Sequence, residues 1–181
     1  GYCLPACPTY ASMGKESHPF RVEGGETLVD PEWYSQFTRT LIHVFRNMVD
    51  HGIEPPEHRA AAGKDPKGTI SCRIDETEEG FRIVLSNDGT ELNLAEIRER
   101  ALQRGIRSAG ELEAMDEREV RMLIFHDGFS TKRAVSAVSG RGFGMSAVRE
   151  ALETLNGTAD VASSPQLGTQ FIFNLPRREL P

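Results

Sequence analysis

The sequence predicts an α+β two-layer sandwich, in which a mixed, mostly antiparallel sheet is covered on one face by helices. Segments with alternating apolar residues occur in pairs along the chain, and segments with helical periodicity separate these pairs. A doubly wound fold would instead alternate single strands with helices. The predicted order is strand, helix, two strands, two helices, a long loop, one helix and two strands.

The composition is typical of one soluble globular domain. The chain has 181 residues, of which 38% are hydrophobic and 27% are charged, so it is long enough to form a single core. Its net charge of −6 argues against nucleic-acid binding, which requires clustered Lys and Arg. We find no apolar run of about 18 residues and no signal peptide. We therefore expect a cytoplasmic fragment without membrane insertion.

The first residues are predicted to lie outside the folded domain. We expect residues 1–13 to be an N-terminal linker or tail and residues 14–181 to form the domain. The three cysteines are too few for a disulfide framework. A zinc site at Cys3, Cys7 and His18 is disfavoured, because a closed site has four ligands at tighter spacing.

The first predicted elements are a short strand and a long helix. The strand covers residues 20–22 and leads into a glycine turn. The helix follows Pro31, because apolar residues recur there every three or four positions. These residues are Trp33, Phe37, Leu41, Phe45 and Met48. A second row, His43, Asn47 and His51, has four-residue spacing and lies at the edge of the apolar face.

The middle of the chain contains a strand pair and two helices. Apolar residues alternate over residues 68–74 and again over residues 81–87, so both segments are predicted strands. A helix over residues 94–105 follows, with Asn93 as its N-cap. A further helix is predicted over residues 116–124, because Asp116 is a candidate N-cap and Glu119 follows it three positions later.

The last third contains a glycine- and serine-rich loop over residues 126–144, a helix and a strand pair. The inward residues of the helix are Met145, Val148, Leu152 and Leu155. The strands cover residues 159–164 and 169–175. The stretch "GRGFGM", residues 140–145, is not a dinucleotide fingerprint, because no strand precedes it and its third glycine comes one residue too early. The stretch "AAAGKDP" around Lys64 is not a P-loop, because it lacks the leading glycine and the Ser or Thr after the lysine.

Three segments occur in an order that identifies a family. They are "LIHVFRNMVDHGIEPPEHRAAAGK", "MLIFHDGFSTKRAVSAVSGRGFGM" and "GTQFIFNLP". Together they resemble the ATP-binding domain of CheA-type chemotaxis histidine kinases, within the gyrase, Hsp90, histidine kinase and MutL superfamily. The resemblance covers residues 14–176. It implies the Bergerat fold, ATP and Mg²⁺ as cofactors, and phosphoryl transfer to a histidine on another domain.

The resemblance assigns residues to both ends of a bound nucleotide. Asn47 matches the asparagine that holds Mg²⁺, and its neutral carbonyl oxygen suits a metal that phosphate oxygens already neutralise. His43 matches the catalytic motif histidine near the γ-phosphate, and Asp50 and His51 match the end of that motif. Thr169 matches the residue that closes over the adenine. A phosphoacceptor-histidine domain and a response regulator are expected outside this chain.

The long loop resembles the mobile lid that covers ATP in this family. The lid residues implied by the match are Phe125, Phe129, Ser130 and Thr131. Glycines near the end of the loop allow backbone N–H groups to approach phosphate oxygens at a helix start. The phosphate-binding residues implied are Gly140, Arg141, Gly142, Phe143, Gly144 and Met145.

The turn from Asn87 to Glu91 differs from the family pattern Asp-x-Gly-x-Gly. Asn87 and Gly89 match base-binding positions, and the family's aspartate accepts a hydrogen bond from the adenine amino group. Asn87 replaces this charged acceptor with a neutral one, and Glu91 adds bulk and negative charge. Two hypotheses follow: a kinase domain that binds ATP weakly, or a degenerate pseudokinase that acts as a docking module. A chaperone or mismatch-repair ATPase is disfavoured by "GFSTK" and "DHGIE".

Overall fold

Five strands form one open, mixed sheet in the computed structural model, which describes residues 19–24, 30, 32–129 and 144–178. The strands are β1 (Phe20–Glu23), β2 (Ile70–Glu76), β3 (Gly80–Asn87), β4 (Thr158–Ser164) and β5 (Gly168–Pro176). Their order in the sheet is β1-β2-β3-β5-β4. β1 runs parallel to β2, and the other three neighbouring pairs are antiparallel. The predicted mixed, mostly antiparallel sheet is therefore confirmed.

Six α-helices lie within the described part of the chain. They are α1 (Ser35–Asn47), α2 (Pro56–Ala61), α3 (Leu94–Gln103), α4 (Ala109–Ala114), α5 (Glu117–Met122) and α6 (Met145–Thr154). A π-helical turn, Met48–Gly52, continues α1, and a 3₁₀ turn, Leu123–Phe125, continues α5. The predicted cap is present, because the Asn93 side chain accepts a hydrogen bond from the Glu96 N–H.

The sequence does not predict α2, α4 or the π turn. The two helices have six residues each, so a repeat of three or four residues hardly shows in them. Each buries a single side chain, Arg59 in α2 and Leu112 in α4. With so little apolar surface, these helices depend on what surrounds them in the fold.

The main core lies between one face of the sheet and helices α1 and α6. Cys72, Leu85, Phe171 and Val161 are register neighbours across four strands, and all four are buried. The ring of Phe37 in α1 packs edge-to-face on a strand ring with centroids 5.4 Å apart. The predicted inward residues of α6 are also buried. The sheet and these two helices therefore share the apolar layer that a two-layer sandwich requires.

The predicted apolar stripe is wrong at its first residue. Trp33 precedes α1 and is 40% exposed, with the Arg178 guanidinium 4.4 Å from its ring centroid. The neighbouring Tyr34 is buried instead, and its hydroxyl donates to the carbonyl oxygen of Pro176 at 2.6 Å. Tyr can be buried here because this acceptor satisfies its polar end.

A second, smaller core lies under α3, α4 and α5. Its buried members are Ile97, Ala101, Leu112, Val120, Leu123 and Phe129. The predicted boundary between residues 13 and 14 lies outside the described residues, so it stays a prediction. No helix in the described ranges is long and apolar enough to cross a membrane.

Candidate functional site

The apolar layer between the sheet and the helices ends in a row of polar side chains. Asn87, Thr169 and Ser163 are register neighbours on β3, β5 and β4. They lie on the same face as Leu85 and Phe171, because side chains two positions apart share a face. Asn87 and Thr169 are each 3% exposed. The fold thus brings two predicted site residues, 82 positions apart in the chain (169 − 87), to one edge of the core.

The polar row holds the chain that follows β3. The hydroxyl of Thr169 donates to the carbonyl oxygen of Thr90 at 3.1 Å and lies 3.1 Å from the hydroxyl of Ser163. The backbone N–H of Leu92 donates to the same serine oxygen at 2.8 Å. These hydrogen bonds fix the turn that follows Asn87. Ser163 has no motif match in the sequence, and only strand register places it here.

Glycines allow the π turn and the turn after β3 to pack backbone to backbone. The carbonyl oxygen of Gly52 accepts a hydrogen bond from the N–H of Thr90 at 2.8 Å. A Cβ atom on Gly89 would overlap that carbonyl oxygen, and one on Gly168 would overlap the carbonyl oxygen of Asn87. Only glycine fits at these positions without moving backbone. The predicted site residue Gly89 therefore has a defined packing role.

Helix α1 presents the predicted metal and catalytic residues one turn apart. The amide Nδ2 of Asn47 donates to the carbonyl oxygen of His43 at 3.0 Å. This bond fixes the amide orientation and leaves Oδ1 as the terminal atom that points away from that carbonyl. Burial, followed by the charge of Arg46, lowers the pKa of His43 below its usual 6.5. The imidazole is therefore neutral at pH 7.

The π turn changes the predicted row on this helix. The α-helix ends at Asn47, and Asp50 and His51 lie in the wider π turn, where both are exposed. Because a π turn contains more residues than an α turn, a spacing of four does not keep His51 in line with His43. π turns of this kind occur often at functional sites. No group of three or more His, Cys, Asp and Glu side chains within the described ranges is placed to hold a metal ion.

A buried arginine ties α2 to the turn after β3. Arg59 is 1% exposed. Its guanidinium donates to the Glu54 carboxylate at 2.9 Å, to the Asp88 carboxylate at 3.1 Å and to the Asp65 carbonyl oxygen at 2.7 Å. The Asp88 carboxylate also accepts from the N–H of Thr69 at 2.8 Å. Asp88, the second residue of the turn, therefore links the turn to Arg59 and to the backbone at Thr69.

Lys64 completes this network. Its ammonium group donates to Glu54 at 2.7 Å and to the carbonyl oxygens of Asp88 and Gly89 at 3.2 and 3.1 Å. Burial alone would raise the pKa of Glu54, but the hydrogen bonds and charges of Lys64 and Arg59 lower it below its usual value. The sequence pattern excludes Lys64 as a P-loop lysine and does not point to Glu54 or Arg59. No local pattern distinguishes a buried arginine from an exposed one.

The predicted lid is only partly described, and one of its residues belongs to the core. Phe125 lies in the 3₁₀ turn, is 1% exposed and packs edge-to-face on Phe171 with centroids 6.4 Å apart. Burial fixes this ring in the main core, and its expected role in a lid stays a prediction. Phe129 is buried in the second core, beside the Arg100 guanidinium. The other predicted lid and phosphate-loop residues, Ser130, Thr131, Gly140, Arg141, Gly142 and Phe143, lie outside the described residues.

The described part of the predicted phosphate loop is the start of α6. Gly144 is the N-cap residue and has no side chain to cap the helix. Met145 begins the helix, and its side chain is buried in the main core. Any role of Met145 toward a phosphate therefore rests on its backbone N–H, since its side chain packs inward.

A family model described as "Histidine kinase-, DNA gyrase B-, and HSP90-like ATPase" matches residues 37–179. The chain belongs to this family. The match includes α1, the polar row and the whole antiparallel part of the sheet. The Bergerat fold inferred from the motifs is thereby confirmed.

Curated relatives include a chemotaxis protein and a sensor histidine kinase. The chain is 38% identical over 157 residues to chemotaxis protein CheA of Halobacterium salinarum, covering 87% of this chain and 24% of that protein. It is 39% identical over 157 residues to sensor histidine kinase CheAY of Helicobacter pylori, covering 86% and 19%. The chain therefore spans about a fifth to a quarter of the length of these curated relatives.

Solved histidine kinase structures have the same fold. The histidine kinase domain of a blue-light activated kinase from Erythrobacter litoralis gives a TM-score of 0.53 at 14% identity, covering 93% of this chain and 55% of that chain. The catalytic domain of histidine kinase ThkA gives 0.53 at 18% identity, covering 93% and 86%. At these identities the likeness concerns the fold alone.

Arg59→Met is expected to lower the free energy of unfolding by about 3 kcal/mol or more, because it leaves buried acceptors without their donor. Arg118→Met is the control. It removes an ion pair to Asp160 in which the arginine side chain is 63% exposed, so we expect a loss of about 1 kcal/mol or less. Urea unfolding of both variants measures the difference, and equal losses would contradict the role of Arg59.

Glu54→Gln is expected to show a stability difference from the parent that depends on pH. The folded-state pKa of Glu54 lies below its ordinary value of 4.5, so its carboxylate stabilises the fold above about pH 4.5, and this contribution is lost as the pH falls through the folded-state pKa. Denaturant unfolding between pH 7 and pH 3 should therefore show the two curves converging in acid. A constant difference over that range would refute the linkage.

Gly89→Ala is expected to lower the free energy of unfolding by about 1–3 kcal/mol, because the added Cβ overlaps the Gly52 carbonyl oxygen and forces two backbones apart. Gly110→Ala is the matched control. A Cβ there meets no neighbouring atom, so stability should stay the same or rise by up to about 1 kcal/mol. Thermal and urea unfolding measure both, and a neutral Gly89→Ala would show that the close backbone contact is absent.

Proposed function

We propose that this chain is the ATP-binding catalytic domain of a CheA-like histidine kinase, which transfers the γ-phosphoryl group of ATP to a histidine on another domain. The similarity to CheA proteins over most of the chain supports it. The observation that carries the proposal is the link between α1 and the polar row. The π turn that follows Asn47 is hydrogen-bonded through Gly52 to Thr90, next to the turn that begins at Asn87. The proposed metal end and base end are thus parts of one rigid edge.

Magnesium fits the residues at the metal end. The orientation of Asn47 directs a neutral amide oxygen, a hard ligand, away from the helix backbone. Asn47 would hold Mg²⁺ together with phosphate oxygens, and the ion would neutralise charge on the transferred group. His43, neutral at pH 7 and half-buried one turn earlier, would lie near the γ-phosphate without adding charge.

The other end of the site would hold the base. Asn87 and Thr169 form the floor of this end, and Gly52 and Gly89 allow the π turn and the turn after β3 to pack closely beside them. The backbone N–H groups at the start of α6 would contact phosphate oxygens, because the first turn of a helix has N–H groups without helical acceptors. The phosphoacceptor-histidine domain and the response regulator would be separate partners outside this chain.

Asn47→Ala is expected to abolish magnesium-dependent binding of a non-hydrolysable ATP analogue, because it removes the protein's oxygen ligand. Calorimetry on the parent should give a dissociation constant of about 1 mM or tighter with Mg²⁺. Asn174→Ala is the control, since this exposed residue lies on the opposite face of β5 and bonds only Thr158 among the contacts described. No heat from the parent at millimolar analogue would instead favour the docking module without nucleotide.

A further inference from the structure

The orientation of the Asn87 side-chain amide is fixed by its own turn. Its Oδ1 accepts a hydrogen bond from the N–H of Gly89 at 3.0 Å. If the amide were rotated by half a turn, Nδ2 would face this N–H, and two donors would oppose each other. The oxygen of the amide therefore faces the turn, and the nitrogen faces the other way.

The amide nitrogen has no protein acceptor. Nδ2 of Asn87 is buried and makes no hydrogen bond within the described structure. A buried donor without a partner is costly and rare in native proteins, and it indicates a site where a partner from outside is expected. The residue as a whole is 3% exposed, so the donor cannot turn toward bulk water.

The Gly52 backbone packs closely against this amide. A Cβ atom on Gly52 would lie 2.8 Å from Nδ2 and 3.3 Å from Cγ of Asn87. Any side chain at position 52 would therefore cover the donor. The turn thus occupies the oxygen and leaves the nitrogen without a protein partner.

The neighbouring Thr169 hydroxyl does not offer a second free donor beside Asn87. A hydroxyl has one hydrogen, and that of Thr169 is donated to the carbonyl oxygen of Thr90 at 3.1 Å. Ser163 lies 3.1 Å from Thr169 and 3.2 Å from the carbonyl oxygen of Gly168, so its hydrogen also has protein acceptors. In the described polar row, Nδ2 of Asn87 is thus the side-chain donor left for a ligand.

We infer that Asn87 donates a hydrogen bond to a carbonyl oxygen on the base, so that the site binds a 6-oxopurine nucleoside triphosphate at least as well as ATP. This rests on the proposed function, in which a purine nucleotide lies at this end of the site. A 6-oxo group accepts a hydrogen bond from Nδ2, whereas a 6-amino group presents hydrogens to it. A carboxylate at this position has only acceptors and reverses the preference. One atom at position 87 thus determines which base is favoured.

Inosine triphosphate and ATP are the matched probes. They share the ribose and the triphosphate and differ at position 6 of the base and in the protonation of the adjacent ring nitrogen. Calorimetry with Mg²⁺ on the parent chain should give a dissociation constant for inosine triphosphate no larger than that for ATP. A parent that binds ATP ten or more times more tightly would overturn the inference and leave the proposed function intact.

Asn87→Asp tests the atom itself. We expect the ratio of the dissociation constant for inosine triphosphate to that for ATP to rise at least about tenfold, corresponding to about 1.4 kcal/mol. The added negative charge affects both triphosphates alike, so it cancels in this ratio. Glu91→Gln controls for charge near the site, and it should shift both constants in the same direction with the ratio unchanged.

Three outcomes distinguish the claims. An unchanged ratio in Asn87→Asp, with a melting temperature close to that of the parent, would show that position 87 does not contact the base, and the inference fails. If Asn87→Asp does not fold, the comparison on the parent still decides. If neither nucleotide binds the parent at millimolar concentration, the proposed function fails and this inference fails with it.

Discussion

The buried guanidinium of Arg59 is the interaction on which the geometry of the site depends. It joins α2 to three other parts of the chain. These are Glu54 before α2, the loop after α2 through the Asp65 carbonyl oxygen, and the turn after β3 through Asp88. Charge is balanced because Glu54 and Asp88 contact the arginine and Lys64 contacts Glu54. A buried charge is tolerated only when it is paired and hydrogen-bonded, so these contacts hold the loop in one conformation.

The same constraint explains why the turn after β3 is rigid although it contains no regular structure. Arg59 and Lys64 hold it from one side through Asp88 and Gly89, and Thr169 holds it from the other through Thr90. Rigidity matters for the side chain of Asn87, because a loose turn would let its amide rotate. A fixed amide presents a defined donor on one side and a defined acceptor on the other. The inferred base selectivity at position 87 depends on this orientation.

Two glycines allow the close backbone packing that accompanies these polar contacts. Gly89 lets the turn lie on the Gly52 carbonyl oxygen, and Gly52 lets the π turn lie against the Asn87 amide. The π turn places Gly52 at this point, since the α-helix ends at Asn47 and the wider turn carries the backbone toward β3 and β5. The helix that presents Asn47 and the strand that presents Asn87 are thus coupled by backbone contacts.

Most of the sheet follows from the sequence, because a period of two is visible in each strand. Extending the alternation of Phe81, Ile83 and Leu85 by one step places Asn87 on the inner face, and the register confirms it. The long helices follow for the same reason, since α1 and α6 have apolar residues at helical spacing. The cap of α3 is local as well, because it depends on residues three positions apart.

The elements that the sequence does not reveal are those whose stability comes from distant residues. Helix α2 is almost entirely exposed apart from Arg59, and the partners Asp65 and Asp88 of this arginine belong to a loop and a turn that follow α2 in the chain. Trp33 and Tyr34 are adjacent and both aromatic, so periodicity alone does not decide which one is buried. The acceptor on Pro176, at the other end of the chain, decides it.

The sequence by itself determined the family, the order of the strands and the longer helices, and the residue types proposed for each end of the site, because these depend on local spacing and on motifs. Only the tertiary structure decided how the Asn87 amide is oriented, since that depends on the Gly89 N–H. It also decided that Phe125 is a core residue and that Lys64 binds carbonyl oxygens. The physical reason is that hydrogen-bond direction and excluded volume arise only when distant backbones meet.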